Sequence, residues 1–289
     1  MAVSAQQVKE LRDKTGAGMN DCKKALEESN GVLEVAIDIL RKKGAAVAAK
    51  RAERTASEGT VLTSIFDGGK SAAMIEVNCE TDFVAKNDDF LNFANLALEA
   101  LVANKPANVD ALMALSVNGK NLADELNALI GKSGEKIEVS RFTIETASNG
   151  VIVDYIHHGS KLGVLISADN VPAEKVADFT PILKDFAMQV AAMRPISVYR
   201  DEVDKTLIEK ELEIYKELAR KEGKPEQILE KIATGKLNKY YEENCLFEQA
   251  FVKDNSKRVS NLVEEFNQKN STQAKLVQFK RFHLSDEKK

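Results

Sequence analysis

The stretch Ala73-Met74-Ile75-Glu76-Val77-Asn78-Cys79-Glu80-Thr81-Asp82-Phe83-Val84-Ala85-Lys86-Asn87 decides how the rest of the chain is read. In its first half Ala73, Ile75, Val77 and Cys79 alternate with Met74, Glu76 and Asn78, the period of a strand with one buried face. Beyond it, Asp88 can cap a helix carrying Phe90, Phe93, Ala94, Ala97 and Leu101. Between strand and helix lies a loop in which an acid, Asp82, stands beside an aromatic, Phe83. Loops held by a rigid scaffold often carry function. Taken alone, the local pattern favours a plainer reading: Thr81 or Asp82 caps a turn and Phe83 closes the core edge. The wider chain shifts that balance.

Upstream, Val61, Leu62, Ile65 and Phe66 predict a strand and Asp67-Gly68-Gly69-Lys70 a turn, which makes an antiparallel hairpin with the strand into Cys79. The same pattern returns 91 positions later. Gly150, Ile152, Ile156, Gly159, Lys161 and Ile166 follow Gly59, Val61, Ile65, Gly68, Lys70 and Ile75 at that spacing. Phe186-Ala187 then echoes Phe93-Ala94 on a following helix. This is a diverged internal duplication and predicts two α+β subdomains related by pseudosymmetry, with antiparallel sheets. The second copy has Asp169-Asn170-Val171-Pro172 where the first has the Asp82-Phe83 loop. A shared scaffold with one differing loop assigns that loop a task specific to the first copy.

The first fifty-odd residues read as helices only. Ser4-Ala5-Gln6-Gln7 has capping-box spacing ahead of Val8 and Leu11. Asn20 or Asp21 can cap a second helix through Glu28, with Met19, Cys22, Ala25 and Leu26 on its apolar side. Val32, Val35, Ala36, Ile39 and Leu40 stripe a third helix, and Gly44 is a natural stop. The result is a compact three-helix (UBA-like) bundle, a size that usually serves to bind a partner. Arg41-Lys42-Lys43, Lys50-Arg51 and Arg54 follow as a basic segment, read as a solvated helical linker because no aromatics interleave the charges. A boundary falls at Thr55 to Gly59.

Between the copies, Asn121 to Ile130 predicts a helix and Ile137 to Thr146 a strand. A long helix starts near Asp201, with Ile208, Leu212, Tyr215 and Ala219 at coiled-coil spacing. Gly223-Lys224-Pro225 turns the chain, and Ile228, Leu229, Ile232, Leu237 and Tyr240 stripe the return. So short a connection implies an antiparallel helical hairpin, inserted into the second copy. After it come Phe247 to Lys253, a helix from Lys257 to Phe266, a strand from Leu276 to Leu284, and a frayed polar end from Ser285 to Lys289. The expected division is 1–54 bundle and linker, 55–146 first subdomain, 147–200 with 241–289 second subdomain, and 201–240 coiled-coil hairpin.

Composition narrows the function. The chain has 289 residues, 44% hydrophobic and 30% charged, enough for more than one core. No apolar run approaches the roughly 20 residues of a membrane helix, and Met1 to Leu11 lacks a signal-peptide core, so the cytoplasm is the expected location and no membrane is involved. A net charge of −4 argues against a dedicated nucleic-acid binder. Cys22, Cys79 and Cys245 fit no disulfide framework or zinc site and read as reduced packing residues. Gly69-Lys70-Ser71 and Gly131-Lys132-Ser133 mimic the end of a phosphate loop, but Ser64 and Leu126 occupy the positions that need its first glycine. His157 and His158 would point to opposite faces of a strand, and His283 is isolated. Cys79, Glu80 and Asp82 would have to converge from alternate faces to hold a metal. No nucleophile, cofactor or metal motif emerges, and the chain reads as a binding protein rather than an enzyme.

Two long motifs carry a resemblance. Val8-Lys9-Glu10-Leu11-Arg12, with Thr15-Gly16-Ala17-Gly18-Met19 and Asp21-Cys22-Lys23-Lys24-Ala25-Leu26, is similar to the N-terminal signature of the bacterial translation elongation factor Ts family. Glu76-Val77-Asn78-Cys79-Glu80-Thr81-Asp82-Phe83-Val84-Ala85 resembles its second signature. His157, Gly159, Gly163-Val164-Leu165 and the Gly223-Lys224-Pro225 turn also fit, so the likeness covers nearly the whole chain. It implies a guanine-nucleotide exchange factor for elongation factor Tu, binding its GDP and nucleotide-free forms, with no cofactor and no nucleotide of its own. By the same resemblance Thr81, Asp82, Phe83 and Val84 dislodge the partner's Mg²⁺. Leu11, Arg12, Met19 and Asn20 of the bundle contact its nucleotide-binding domain, and His157 of the second subdomain contacts its distal domain. Asn20 stands where the family usually has a second Met, Gln189 replaces a common His, and many members continue beyond Leu284 into a further partner-contacting helix. The alternative function is RNA binding or an adaptor role through residues 41–54.

Overall fold

The computed structural model describes residues 3–117 and 119–286, and at Lys120 the backbone alone. Three helices open the chain, α1 (Ala5–Thr15), α2 (Met19–Glu28) and α3 (Leu33–Arg51). The predicted capping box is present: the Gln7 N–H donates to Ser4 Oγ at 3.2 Å and the Ser4 N–H to Gln7 Oε1 at 3.0 Å. Val8, Leu11, Cys22, Ala25, Leu26 and Ala36 are buried together. The second helix starts at Met19 after Gly18, earlier than a cap at Asn20 or Asp21. Met19, Val32 and Val35 are exposed rather than part of the core stripe, because so small a bundle cannot cover every apolar side chain.

The first copy runs β1 (Glu58–Phe66), β2 (Ser71–Cys79), α4 (Asp82–Ala85), α5 (Asp88–Asn104), α6 (Val109–Met113), the short β3 (Ser116–Val117) and β4 (Lys120–Asn121), α7 (Leu122–Ser133) and β5 (Ile137–Thr146). The second runs β6 (Gly150–Ile156), β7 (Leu162–Asp169), α8 (Val176–Met193), the hairpin helices α9 (Lys205–Lys221) and α10 (Glu226–Asn244), β8 (Ala250–Phe251), β9 (Asp254–Arg258), α11 (Val259–Asn270) and β10 (Lys275–His283). The cap of α5 is Asn87, whose Oδ1 accepts from the Asp89 N–H at 2.8 Å, not Asp88. The long helix begins at Lys205, capped by Asp204, and Arg200–Glu202 is a separate 3₁₀ turn.

The duplication is visible in the strand register. The two antiparallel sheets have the orders β1-β2-β5 and β6-β7-β10. Gly59 pairs with Asn78 in the first, and Gly150 with Asp169 in the second, so both partners move by the same 91 residues. A Cβ on Gly59 would strike the Val77 carbonyl, and one on Gly150 the Ala168 carbonyl, the equivalent atom. Only glycine permits that approach at either place. Every residue of β2 is buried, where one buried face was expected. Ala73, Ile75, Val77 and Cys79 pack under α5, while Ala72 and Met74 face the second sheet. In that inter-sheet core equivalent residues meet: Val61 with Ile152, and Met74 with Leu165, share one cluster. A larger core lies beneath α8 and α11, around Phe179, Phe186 and Phe266.

Gly44 does not stop α3. It lies inside the helix, and a Cβ there would sit 2.5 Å from the Asn127 carbonyl of α7, while one on Gly131 would sit 3.2 Å from the Gly44 Cα. The glycines let the two helices cross closely. Arg41 pairs with Asp124 across this contact, so residues 41–51 are docked helix, not a free linker. The hairpin stands on adjacent feet: the Ile196 N–H donates to the Asn244 carbonyl at 2.9 Å. Its inner face buries Ala219, Leu229, Ala233 and Leu237. The segment after it holds the β8–β9 hairpin, which the sequence reading missed. Gln189 secures that turn, donating to Gln249 Oε1 and the Ala250 carbonyl at 3.0 Å each and accepting from the Val252 N–H at 2.8 Å. The last helix and strand begin at Val259 and Lys275, within two residues of expectation. Of the expected frayed end, Asp286 is tied down by Arg281 at 2.9 Å and by the His283 N–H at 3.0 Å; 287–289 lie outside the described residues. Among the described residues no helix is long and apolar enough to cross a membrane.

Candidate functional site

The Asp82-Phe83 loop leaves β2 and forms one helical turn. Thr81 is extended, with φ −123° and ψ 155°, and its Oγ1 accepts from the Val84 N–H at 3.4 Å. The cap is therefore Thr81, leaving Asp82 free to turn outward, where it pairs with Lys86 at 2.7 Å one turn on. That hydrogen bond is the main reason the Asp82 carboxyl is held below its ordinary range, so it is an anion at neutral pH. Phe83 does not close the core edge. It is 82% exposed, an aromatic ring held in water on a short, capped turn.

Two carboxylates brace the loop from behind. Glu135, in the turn between α7 and β5, accepts from the Thr81 N–H at 3.0 Å and from Thr81 Oγ1 at 2.7 Å. In return Glu80 accepts from the Lys136 N–H at 2.6 Å. Glu80 also pairs with Arg51 at 3.3 Å and Arg54 at 3.0 Å, at the end of α3. The Lys136 N–H and then the arginines hold its carboxyl below the usual range. Cys79 beneath the loop donates to the Thr81 carbonyl at 3.2 Å, and burial pushes its thiol up to about 12, which makes it inert.

The loop has a neighbour from the other copy. Lys161 pairs with Glu58 at 2.5 Å and the Val61 N–H donates to the Ser160 carbonyl at 2.7 Å. Asp82 and Lys86 thus share a groove of about 290 Å³ with Gly159, Ser160 and Lys161. His157 lies just before this turn, exposed, its Nδ1 2.8 Å from the Tyr155 hydroxyl. Both histidines of the pair sit past the end of β6, in the turn rather than on a strand. In the bundle, Arg12, Met19 and Asn20 are exposed, Met19 by 61%. Leu11 is not: it is fully buried in the bundle core and offers no surface to a partner.

Sequence comparison decides the family. The model of the family described as elongation factor Ts matches residues 80–286. A protein named elongation factor Ts from Chlorobaculum tepidum is 48% identical over 286 residues, 98% of each chain. Those of Prosthecochloris aestuarii and Chloroherpeton thalassium are 46% and 44% identical, covering 98% of this chain and 98% and 99% of theirs. The chain belongs to the elongation factor Ts family. This member's other sequence candidates fall away on geometry. Gly69-Lys70-Ser71 is a hairpin turn feeding β2, and Gly131-Lys132-Ser133 is the last turn of α7, with Lys132 paired to Asp89. A phosphate loop must open a helix, not end one. Cys79, Glu80 and Asp82 each have separate partners, and no cluster of three metal-binding side chains occurs among the described residues. All three cysteines are buried and free of disulfides. The bracing residue Glu135 escaped the sequence reading, because it is 54 positions from Thr81 and no spacing rule links them; Arg51 and Arg54, read as part of a solvated linker, are instead paired with Glu80.

Proposed function

We propose that this chain is a guanine-nucleotide exchange factor that acts on elongation factor Tu during translation elongation in the cytoplasm. The observation that carries the reading is Phe83, 82% exposed beside an ionised Asp82 on a braced turn. A soluble fold gains nothing from an isolated exposed aromatic on a rigid support, whereas a wedge needs one.

Thr81, Asp82, Phe83 and Val84 form the segment that enters the partner. A GTPase holds its diphosphate through Mg²⁺, backbone N–H groups and a lysine. An aromatic inserted beside the metal's ligands shifts all three together, and the anionic Asp82 adds an unfavourable field near the phosphates. The factor then binds the nucleotide-free form best, and by linkage bound nucleotide weakens factor to the same degree. GTP can rebind and release the factor. No bond is made or broken, so the chain is not an enzyme of bond chemistry and holds no nucleotide, metal or cofactor. Arg12, Met19 and Asn20 of the bundle contact the nucleotide-binding domain, with Leu11 supporting them from the core. His157 contacts the distal domain from the adjoining turn. Residues 1–54, 55–146, 147–200 with 241–289, and 201–240 are the functional divisions. The 41–54 segment is weakened as an RNA site because Arg41, Arg51 and Arg54 are engaged by acids of the core.

Stopped-flow release of fluorescent GDP from elongation factor Tu tests the reading. Release should accelerate with factor concentration and saturate, while calorimetry of the free chain with GDP shows no heat of binding. Unaccelerated release, or micromolar GDP binding by the free chain, overturns it.

A further inference from the structure

The exposed ring is useful as a wedge only if the turn carrying it keeps its aim. Phe83 is 82% exposed, so its position is set mainly through the backbone. Of that backbone, Thr81 is the entry point, since its hydroxyl caps the following turn at the Val84 N–H. The same hydroxyl and the Thr81 N–H are both taken by one carboxylate, Glu135. One residue earlier, Glu80 takes the Lys136 N–H, one residue after Glu135. The two acids are thus exchanged between neighbouring chain segments, each satisfying the other's backbone. Hydrogen bonds to an ionised acceptor are short and roughly twice as strong as neutral ones.

We propose that Glu80 and Glu135 are positioning residues for exchange, a reciprocal carboxylate clasp that fixes Thr81 and with it the aim of Phe83. The inference rests on the exchange reading above for its functional half, and on the hydrogen bonds alone for its structural half. Neither acid touches the partner in this scheme. The alternative assignment, that the two acids serve only the stability of the sheet end, predicts loss of folded protein and unaltered behaviour of the molecules that remain folded.

The test uses full-length wild type, Glu135→Ala and Glu135→Gln, the last keeping the size and one acceptor oxygen. Hydrogen–deuterium exchange on the free protein reads the clasp without a partner. In Glu135→Ala, which removes the carboxylate acceptor of both the Thr81 N–H and the Thr81 hydroxyl, the amides of Thr81 and Val84 should exchange about tenfold faster or more, while those of residues 72–78 keep their protection. In the stopped-flow assay the maximal release rate at saturating factor should fall about tenfold, and the half-saturating concentration should change far less. Glu135→Gln should lie between the two. If Glu135→Ala is poorly folded by circular dichroism, Glu135→Gln carries the test alone, with smaller changes in the same direction. Unchanged protection at Thr81 and Val84 overturns the clasp. Faster exchange there with a wild-type maximal release rate overturns its role in positioning. Should the wild-type chain not accelerate release at all, the exchange reading fails, and the amide measurement still decides the clasp.

Discussion

Thr63 Oγ1 donates to Asp154 Oδ2 at 2.6 Å, and the two residues hold the same position in the two copies, 91 residues apart. Equivalent positions can touch only where the approximate twofold axis passes between them. The pair therefore marks the axis, and the duplicated sheets are locked there by an interaction that is itself asymmetric, hydroxyl on one side and carboxylate on the other. Asp154→Ala should cost about 1.5 kcal/mol, the low end for a hydrogen bond to a charged group in a part-buried place. Urea unfolding measures it. Nucleotide release per folded molecule should be unchanged, because neither residue reaches the loop.

Phe83→Ala should behave as a surface change in the free protein. Its loss of stability should stay under about 1 kcal/mol, against about 3–5 for the fully buried Phe90 or Phe179. Catalysed GDP release should nevertheless fall far more than affinity for nucleotide-free elongation factor Tu. Asp82→Ala should act in the same direction and more weakly, and the double variant should be less than additive because the two side chains are adjacent. A large drop in the denaturant midpoint with normal release per folded molecule would show that the ring serves the fold instead.

The crossing of α3 and α7 predicts an ordered pair of substitutions. Gly44→Ala gains up to about 1 kcal/mol of helix propensity but places its methyl 2.5 Å from a backbone oxygen that cannot rotate away. Overpacking of that kind costs about 1–3 kcal/mol, so a net loss of up to about 2 kcal/mol is expected. Gly131→Ala meets the other helix at 3.2 Å and should be the milder. Thermal melts rank the two, and equal or reversed effects would contradict the crossing.

Acid should loosen the tie between α3 and the loop. The Glu80 carboxyl is held below its ordinary value of 4.5, first by the Lys136 N–H and then by Arg54 and Arg51. A group with a lowered folded value stabilises fully above its unfolded value and loses that contribution as pH falls through the folded one. The stability difference between wild type and Glu80→Gln should accordingly be flat above the ordinary glutamate range and shrink below it. Thermal melts in buffers on both sides of that range check the sign.

Much of this was legible because it is periodic or repeated. The 91-residue echo could be read since Gly59 and Gly150 answer to the same close approach, and a register shared by two hairpins leaves the same turn residues at the same offsets. Helix stripes such as Ile208 to Ala219 were equally plain. What failed depended on contacts distant in sequence. Gly44 reads as a stop until α7 is seen across from it. Val32 and Val35 read as core until the bundle proves too small to cover them. Leu11 belonged to a motif that the resemblance ties to a partner, yet the residue supports that motif from within. For Phe83, local pattern favoured the core, and only the differing loop of the second copy and the resemblance argued otherwise; the deciding fact, its exposure, is set by how α4 sits on β2. The short β8–β9 hairpin was missed because Asp254 to Arg258 is polar throughout, and a strand exposed on both faces has no alternation to read.

The order β6-β7-β10 has a consequence for synthesis. In the first sheet the third strand arrives soon after the hairpin, Ile137 opposite Cys79. In the second, Asp169 waits for Lys275, on the far side of the inserted helices. At about 5–20 residues per second the ribosome needs on the order of 5–20 s to cover that interval. For that time the nascent chain carries a completed first half and a β6–β7 ribbon whose inner strand has one edge bare. Such an edge is a template for wrong pairing. A chaperone that shields extended apolar segments would find its substrate in this window, before the carboxyl-terminal strand closes it.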